Sequence, residues 1–269
     1  FLVLITVLVE LAGNTIVLWL LGFMHRKPIS GYVLNLALGD SFFLCCHFID
    51  SLLWIIDFIY AHKLNKDILG NAAIIPYMAG HSLLSAISME HCLSVLWPIW
   101  YDFHHQSNMS AILYALIWVL SILIGILDWF FLGFLGETNH HLCENVAFII
   151  TAFLIFLFML LSVSSLALLL RILCGPRKKP LSRLVTISLT VMVYLICGLP
   201  LGLYFFLLHW FGVHLHYPSC HIYQVTAVLS CVNSSANPII YFIVGSFRHC
   251  RKCCSFQTIL NRALKDTPE

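Results

Sequence analysis

The sequence predicts an all-α membrane protein, a seven-transmembrane helix bundle with a short amphipathic C-terminal helix. Of its 269 residues, 61% are hydrophobic and only 10% are charged, whereas soluble domains carry about 25% charged residues. Uncharged runs are long, as in residues 145–170 and 184–208. Each run exceeds the roughly 20 residues that a helix needs to cross a bilayer, while barrel strands are about half as long. The apolar surplus therefore predicts helices in lipid.

Seven apolar segments account for this surplus. They are predicted at residues 1–23, 31–60, 68–97, 109–135, 145–173, 181–211 and 219–246. The chain begins inside an apolar segment without methionine, so we expect a truncated N-terminus, and no signal peptide is visible before the first span. The membrane domain is predicted to cover residues 1–246, and a cytosolic amphipathic helix and tail to cover residues 247–269.

The basic residues set the orientation of the bundle. Two of the 14 Lys and Arg residues follow the first span, five follow the fifth span and five lie in the C-terminal tail. Only Lys63 and Lys66 fall on the other side. Because cytoplasmic loops carry the excess of Lys and Arg, this distribution predicts an extracellular N-terminus and a cytosolic C-terminus. An even number of spans would break the asymmetry.

Polar residues inside the predicted spans are candidates for function, because they are costly in lipid. Asn14 follows Gly13 in the first span, and Asp40 ends "NLALGD" in the second. The sixth span contains "CGLP" and the seventh contains "NPIIY". Each residue alone also fits a simpler role, such as an interhelical hydrogen bond or a proline kink. The occurrence of all these residues in one chain favours a functional role over these simpler ones.

Together these motifs resemble the rhodopsin-like G-protein-coupled receptors. "GN", "LALGD", Trp118, "CGLP" and "NPIIY" occur in the spans and the order that this family shows. The resemblance implies a polar core that rearranges between inactive and active states. The activation-switch residues that it implies are Asp40, Glu90, His91, Pro200, Asn233, Asn237, Pro238 and Tyr241.

A narrower resemblance covers almost the whole chain. "CLSVLWPIWY", "FIITAFLIFLFMLL", "SSLALLLRILCG" and "LSCVNSSANPIIYFIVGSFR" resemble the Mas-related receptors, and "LGETNHHLCENV" resembles their member A branch. This resemblance implies a plasma-membrane receptor of sensory neurons or immune cells for short basic or amphipathic peptides or small cations. It implies signalling through a heterotrimeric G protein of the Gq class with calcium release, in contact with membrane lipid. It implies no cofactor, metal, nucleic acid or enzymatic activity.

Acids and aromatic residues near the outer ends of the spans are candidates for ligand contacts, because this combination suits a cation. The candidates are Asp50, Trp54, Asp128, Trp129, Tyr204 and Phe205. The alternative is that the aromatic residues anchor the bundle at the lipid interface. Asp128 matches an acid that meets cationic ligands in related receptors, whereas Ala147 stands where these relatives have a second acid. The outer-loop histidines lack a metal-ligand spacing, so we expect no metal site.

Cysteines outside the spans suggest two modifications. The resemblance implies a disulfide between the outer end of the fourth span and Cys143, but the first position is Leu132. Cys143 is therefore either free or paired with another cysteine, for which Cys220 is a candidate. Cys250, Cys253 and Cys254 follow the last span beside basic residues and are candidates for palmitoylation. Reduced cytosolic thiols are the alternative.

The segment "MEHCLSVLWPIWY" departs from the family pattern. Related receptors read Glu-Arg-Cys at the inner end of the third span, whereas this chain has Glu90, His91 and Cys92. Histidine is shorter than arginine, lacks the guanidinium fork and is mostly neutral at pH 7. Two interpretations remain open: a tolerated variant with weaker coupling, or a coupling-impaired decoy or scaffold receptor.

Overall fold

A computed structural model describes the chain at residues 2–22, 28–60, 72–99, 101, 107–134, 140–174, 190, 192–198, 200, 225–234, 236 and 240. Over these ranges the regular structure is helical, without a β-strand. Five long helices are present: α1 (Leu2–Gly22), α2 (Pro28–Tyr60), α3 (Ile74–Leu96), α4 (Ser107–Asp128) and α5 (His140–Cys174). Two π-helical segments, Trp129–Phe134 and Tyr194–Gly198, and a shorter helix, Val225–Ser234, complete the described part.

Prolines mark two of the helix boundaries. α2 begins at Pro28, where the missing N–H would have no helical partner in any case. α3 ends at Leu96, directly before Trp97 and Pro98, and the residue before a proline is disfavoured in the α-helical region. Trp97 accordingly leaves the helix at φ −129° and ψ 64°, and its N–H bonds to the Leu93 carbonyl at 2.9 Å.

Three helices in the described part are long and apolar enough to cross a membrane. Their apolar stretches are Gly31–Leu53, Met109–Phe131 and Phe148–Leu168. Two shorter apolar helices, Val7–Trp19 and Val225–Ser234, accompany them. α4 exposes large apolar side chains along its length, among them Ile112, Leu116 and Leu123. Such a surface is unfavourable in water and favourable against lipid.

α3 is the central helix. It contacts α2, α4 and α5, and most of its side chains between Pro76 and Glu90 are buried. Two apolar clusters surround it. One contains Tyr32, Leu36, Leu83, Leu161 and Tyr194, and the other contains Val7, Leu44, Tyr77, Met78 and Cys231. The polar side chains discussed below are embedded in these clusters.

The helix boundaries differ from the predicted spans mainly at α5. The apolar run predicts a start at residue 145, whereas the helix starts at His140. An apolar run marks the part of a helix that lies in lipid, and a helix continues beyond it because its hydrogen bonds are internal. Cys143 and Glu144 therefore lie within a helix rather than in a loop before it. The predicted tail at residues 247–269 lies outside the described residues.

Candidate functional site

Glu90 lies near the C-terminal end of α3 and is buried. Its carboxylate accepts three hydrogen bonds from hydroxyl groups. Tyr32 of α2 donates to Oε1 at 2.8 Å, Ser110 of α4 donates to the same oxygen at 3.4 Å, and Tyr101 donates to Oε2 at 3.2 Å. Hydrogen bonds to an ionised group are stronger than those between neutral groups. This hydroxyl cage, defined by Tyr32, Tyr101 and Ser110, therefore holds Glu90 between α2 and α4.

His91 follows Glu90 and is half-buried. Its backbone carbonyl accepts a hydrogen bond of 2.9 Å from the Ser94 hydroxyl. The imidazole cannot form the two parallel hydrogen bonds that a guanidinium makes with a carboxylate. Hydroxyl groups therefore hold Glu90 in place. The next residue is His91, where the family pattern has an arginine.

A second polar contact lies in the middle of the bundle. Tyr77 of α3 donates a hydrogen bond of 3.0 Å from its hydroxyl to the backbone carbonyl of Gly198. A Cβ on Gly198 would lie 3.2 Å from Cγ of Asn233. α3, the Tyr194–Gly198 segment and the Val225–Ser234 helix therefore meet at Gly198. The predicted switch residue Asn233 belongs to this contact.

His81 extends this contact with a row of rings. Its Nδ1 lies 2.8 Å from the Tyr77 carbonyl and donates a proton to it, because a carbonyl can only accept. The imidazole centroid is 4.1 Å from the ring of Tyr77 and 5.0 Å from that of Tyr194. Phe158 of α5 stacks on Tyr194 at 6.2 Å. Ring contacts therefore connect α3, the Tyr194–Gly198 segment and α5.

The "NLALGD" motif of α2 faces α3 and α4. Asn35 accepts a hydrogen bond of 3.1 Å from the indole N–H of Trp118. A Cβ on Gly39 would lie 3.8 Å from the Trp118 ring, which is ordinary van der Waals contact, so Gly39 and Trp118 are neighbours. Asp40 is buried, and its Oδ1 is 3.6 Å from the position of a Cβ on Gly80 in α3. The motif therefore joins α2 to both neighbouring helices.

The candidate ligand residues are only partly described. Asp50 in α2 and Asp128 at the end of α4 are both half-buried. Trp129 opens the first π-helical segment and is 50% exposed, which suits a ligand contact or an interfacial anchor equally. Trp54 lies in α2, but its side chain is outside the described part, as are Tyr204 and Phe205 altogether. These residues remain predictions.

Several other predicted residues also lie outside the described part. They are Asn237, Pro238, Tyr241, Cys220, Cys250, Cys253 and Cys254. Cys143 is placed only by its backbone in α5, and Pro200 is described just beyond the Tyr194–Gly198 segment. Cys45, Cys46, Cys92, Cys197 and Cys231 are free thiols, as expected for cysteines within spans.

The sequence analysis missed three buried ionisable residues. Glu10, His47 and His81 lie within apolar helices and are buried. The rule that selected Asp40, that ionisable residues within spans are costly, applies equally to all three. It also missed Tyr32, Tyr77 and Ser110, for which no sequence signal exists, because hydroxyl-bearing side chains are common in such helices.

Apolar helices of membrane-crossing length around a buried polar interior define a helical membrane protein. Residues 13–241 match the family described as 7 transmembrane receptor (rhodopsin family). The chain belongs to the Mas-related G-protein coupled receptors of that family. It is 81% identical over 273 residues to Mas-related G-protein coupled receptor member X1 of Mus musculus and 76% identical to member X1 of Rattus norvegicus. Both alignments cover 100% of this chain and 84% of the relative.

Member A of Rattus norvegicus is 48% identical over 274 residues, covering 100% of this chain and 89% of the relative. The predicted family is therefore confirmed, and the two X1 receptors are more similar to this chain than this member A receptor is. The family also confirms that the chain is a receptor rather than an enzyme, and a multi-pass protein of the plasma membrane.

Proposed function

We propose that this receptor spans the membrane seven times, with an extracellular N-terminus, and binds a short basic or amphipathic peptide or a small cation. Binding activates a G protein of the Gq class and releases calcium. The observation that supports coupling is the hydroxyl cage of Glu90, because its hydrogen bonds join the end of α3 to α2 and α4. A ligand can shift the equilibrium between two states of a receptor when contacts differ between those states.

The ligand charge is supported by Asp50 and Asp128, two half-buried acids on α2 and α4. A half-buried carboxylate interacts with a cation more strongly than an exposed one, because water screens it less. The test is Asp128→Asn, assayed by calcium release against a panel of basic peptides and their acidic counterparts. We expect basic agonists to lose about tenfold in potency, as for about 1.4 kcal/mol of lost interaction. Unchanged potency would contradict charge pairing between Asp128 and the agonist.

A matched control for this test is Ser121→Ala, a buried change on the same helix that removes a hydrogen bond of 2.8 Å to the Ile117 backbone. It leaves the charge at the outer end of α4 intact, so potency should be unchanged. Equal losses in both variants would indicate damage to α4 rather than loss of a charge.

A coupling-impaired decoy or scaffold receptor is the second candidate function. It is favoured by His91, since this residue follows Glu90 in the sequence where the family pattern has an arginine. The test compares the wild type, His91→Arg and His91→Gln at equal surface expression, with calcium release as the readout. Impaired coupling predicts that arginine raises signalling while glutamine does not. Equal signalling in wild type and His91→Arg contradicts the decoy.

The tail beyond the last span is proposed to form an interfacial helix, held by acyl groups on Cys250, Cys253 and Cys254. Two anchoring signals, acyl chains and basic residues, are what stable membrane attachment requires. Incorporation of a palmitate analogue into the wild type, and its loss in the triple Cys→Ser variant, would support this. Non-reducing peptide mapping of Cys143 and Cys220 tests the proposed disulfide.

A further inference from the structure

Two adjacent serines of α5 contact the same serine of α3. The Ser88 hydroxyl oxygen lies 2.7 Å from that of Ser164 and 3.0 Å from that of Ser165. All three side chains are buried, and these residues form the serine chain. Val163 is 61% exposed and Leu166 is 56% exposed, so the two serines between them are the part of α5 that faces the interior at this level.

The direction of the hydrogen bonds in the serine chain follows from one backbone carbonyl. Ser164 donates its hydroxyl proton to the Leu161 carbonyl at 3.1 Å. A hydroxyl group has one proton and two lone pairs, so Ser164 accepts its other hydrogen bond from Ser88. Ser88 has then used its own proton, and it accepts from Ser165. Two of the resulting hydrogen bonds join α3 to α5, and Ser88 takes part in both.

One turn earlier on α3, Ser85 also has a choice of partners. Its hydroxyl oxygen lies 2.9 Å from the His81 carbonyl of its own helix and 3.0 Å from the Leu157 carbonyl of α5. Ser85 has only one hydroxyl proton for these two acceptors. It can therefore release Leu157 and remain hydrogen-bonded within α3. The contact at Ser85 consequently does not fix α5 in a single position.

The arrangement lets α5 turn about its axis while Ser88 keeps a hydrogen bond. Consecutive residues of an α-helix point about 100° apart. A turn of α5 in one sense therefore brings Ser164 towards Ser88 and carries Ser165 away, and a turn in the other sense does the reverse. The released serine can bond to a carbonyl of its own helix. No hydroxyl is then left buried without a partner, which would be costly.

We propose that Ser88 is a pivot on which α5 turns about its axis. Both serines of α5 hold the central orientation, which the structure shows, and one serine alone holds each of two displaced orientations. Arg171 is exposed in the last turn of α5, beyond Ser165. A turn of α5 changes the direction in which this positive charge points. The inference goes beyond the proposed function, because it concerns a motion of α5 that needs neither ligand nor G protein.

A fixed contact between the two helices is the alternative to a pivot. In a fixed contact, Ser164 and Ser165 have the same role, and the loss of either weakens the contact without turning α5. In a pivot, the loss of one serine leaves α5 held by the other, so the two losses turn α5 in opposite senses. The direction of the response therefore distinguishes the two interpretations.

Methyl NMR of Met159 measures this direction. Met159 lies on α5 and is 53% exposed, so its methyl group is at the boundary between neighbouring helices and lipid and responds to a turn of α5. The receptor is labelled with ¹³C-methyl methionine in lipid nanodiscs, and Met159→Leu assigns the resonance. We expect Ser164→Ala and Ser165→Ala to displace this resonance to opposite sides of its wild-type position. Displacement to the same side, or none, overturns the proposal.

The matched control is Ser162→Ala, because Ser162 is a half-buried serine of the same helix that lies outside the serine chain. We expect this variant to leave the Met159 resonance at its wild-type position. A displacement as large as those of the other two variants would show that the resonance responds to any change in α5, and would contradict the pivot.

Thermal unfolding in nanodiscs tests the hydrogen bonds independently. Ser88→Ala should lower the melting temperature of the wild type but not that of the double variant Ser164→Ala/Ser165→Ala, where Ser88 has lost both α5 partners. Equal losses in the two proteins contradict the pairing. Each substitution removes one oxygen atom and introduces a good helix former, so we expect the variants to fold. Silence of the wild type in calcium assays would contradict the proposed function and leave the pivot intact, since neither readout depends on signalling.

Discussion

The hydroxyl of Tyr77 bonds to the backbone carbonyl of Gly198 over 3.0 Å and so joins α3 to the π-helical Tyr194–Gly198 segment. Interhelical hydrogen bonds in membrane proteins contribute about 0.6 kcal/mol on average and up to about 1.7 kcal/mol. We expect Tyr77→Phe, which removes only the oxygen, to lower the melting temperature of the detergent-solubilised receptor slightly and to change its basal signalling. A variant with wild-type basal signalling would show that this contact has no part in switching.

A side chain at Gly198 is expected to crowd the buried side chains of Tyr194 and Asn233. A Cβ there would lie 3.1 Å from Cδ2 of Tyr194 and 3.3 Å from Nδ2 of Asn233. Overpacking of this kind typically costs about 1–3 kcal/mol, so Gly198→Ala should lower thermal stability clearly. The matched control is Gly13→Ala, because a Cβ at Gly13 meets nothing within 4 Å. Alanine is preferred over glycine in a helix by about 0.5–1 kcal/mol, so the control should be neutral or stabilising.

The hydroxyl cage makes Tyr32 important for the contact between α2 and α3. Tyr32→Phe removes the 2.8 Å hydrogen bond to Glu90, and hydrogen bonds to charged groups contribute about 1.5–3 kcal/mol. We expect lower thermal stability and higher agonist-independent signalling, measured at matched surface expression. Tyr114→Phe is the control, since Tyr114 packs edge-on against Tyr32 at 5.8 Å and keeps its ring in the variant. Equal effects of both changes would indicate a general sensitivity of this region to loss of a tyrosine hydroxyl rather than loss of the hydrogen bond to Glu90.

Serine contacts between α3 and α5 should matter much less. The Ser88 hydroxyl is 2.7 Å from that of Ser164 and 3.0 Å from that of Ser165. From the average for membrane hydrogen bonds, Ser88→Ala should cost about 1 kcal/mol or less. Ser41→Ala, which removes only a 2.7 Å bond to the backbone of the same helix, should cost less still. Thermal unfolding of the two variants in detergent tests the order, and the reverse order would contradict it.

The sequence predicted the helices well where a whole segment must be apolar because lipid surrounds it. α2 matches its predicted apolar span to within a few residues, and α4 does so when the π-helical Trp129–Phe134 segment is counted with it, because apolar length and helix length coincide there. α5 extends beyond its apolar run, and composition gives no signal for the extra turns. The π-helical segments were also not predicted, because they depend on how neighbouring helices pack rather than on local composition.

The same distinction applies to the candidate site. Glu90 was predicted because an acid at a membrane edge is unusual, but its partners Tyr32 and Ser110 are 58 and 20 residues away in sequence. Contacts at such separations require the packed bundle. Glu10 could have been predicted from the rule for ionisable residues in lipid, whereas the hydrogen bond from the Asn14 amide to the Ser234 carbonyl, 220 residues away in sequence, could not.

The π-helical segment Trp129–Phe134 changes the direction in which side chains point after the end of α4. A π-helical turn accommodates one more residue than an α-helical turn, and each residue advances an α-helix by about 100°. Residues within Trp129–Phe134 are therefore rotated about the axis relative to an uninterrupted helix. A single-residue deletion within this segment can be absorbed by reverting to α-helical geometry, so loss of one residue here would change which side chains the segment itself presents and leave α4 before it unchanged.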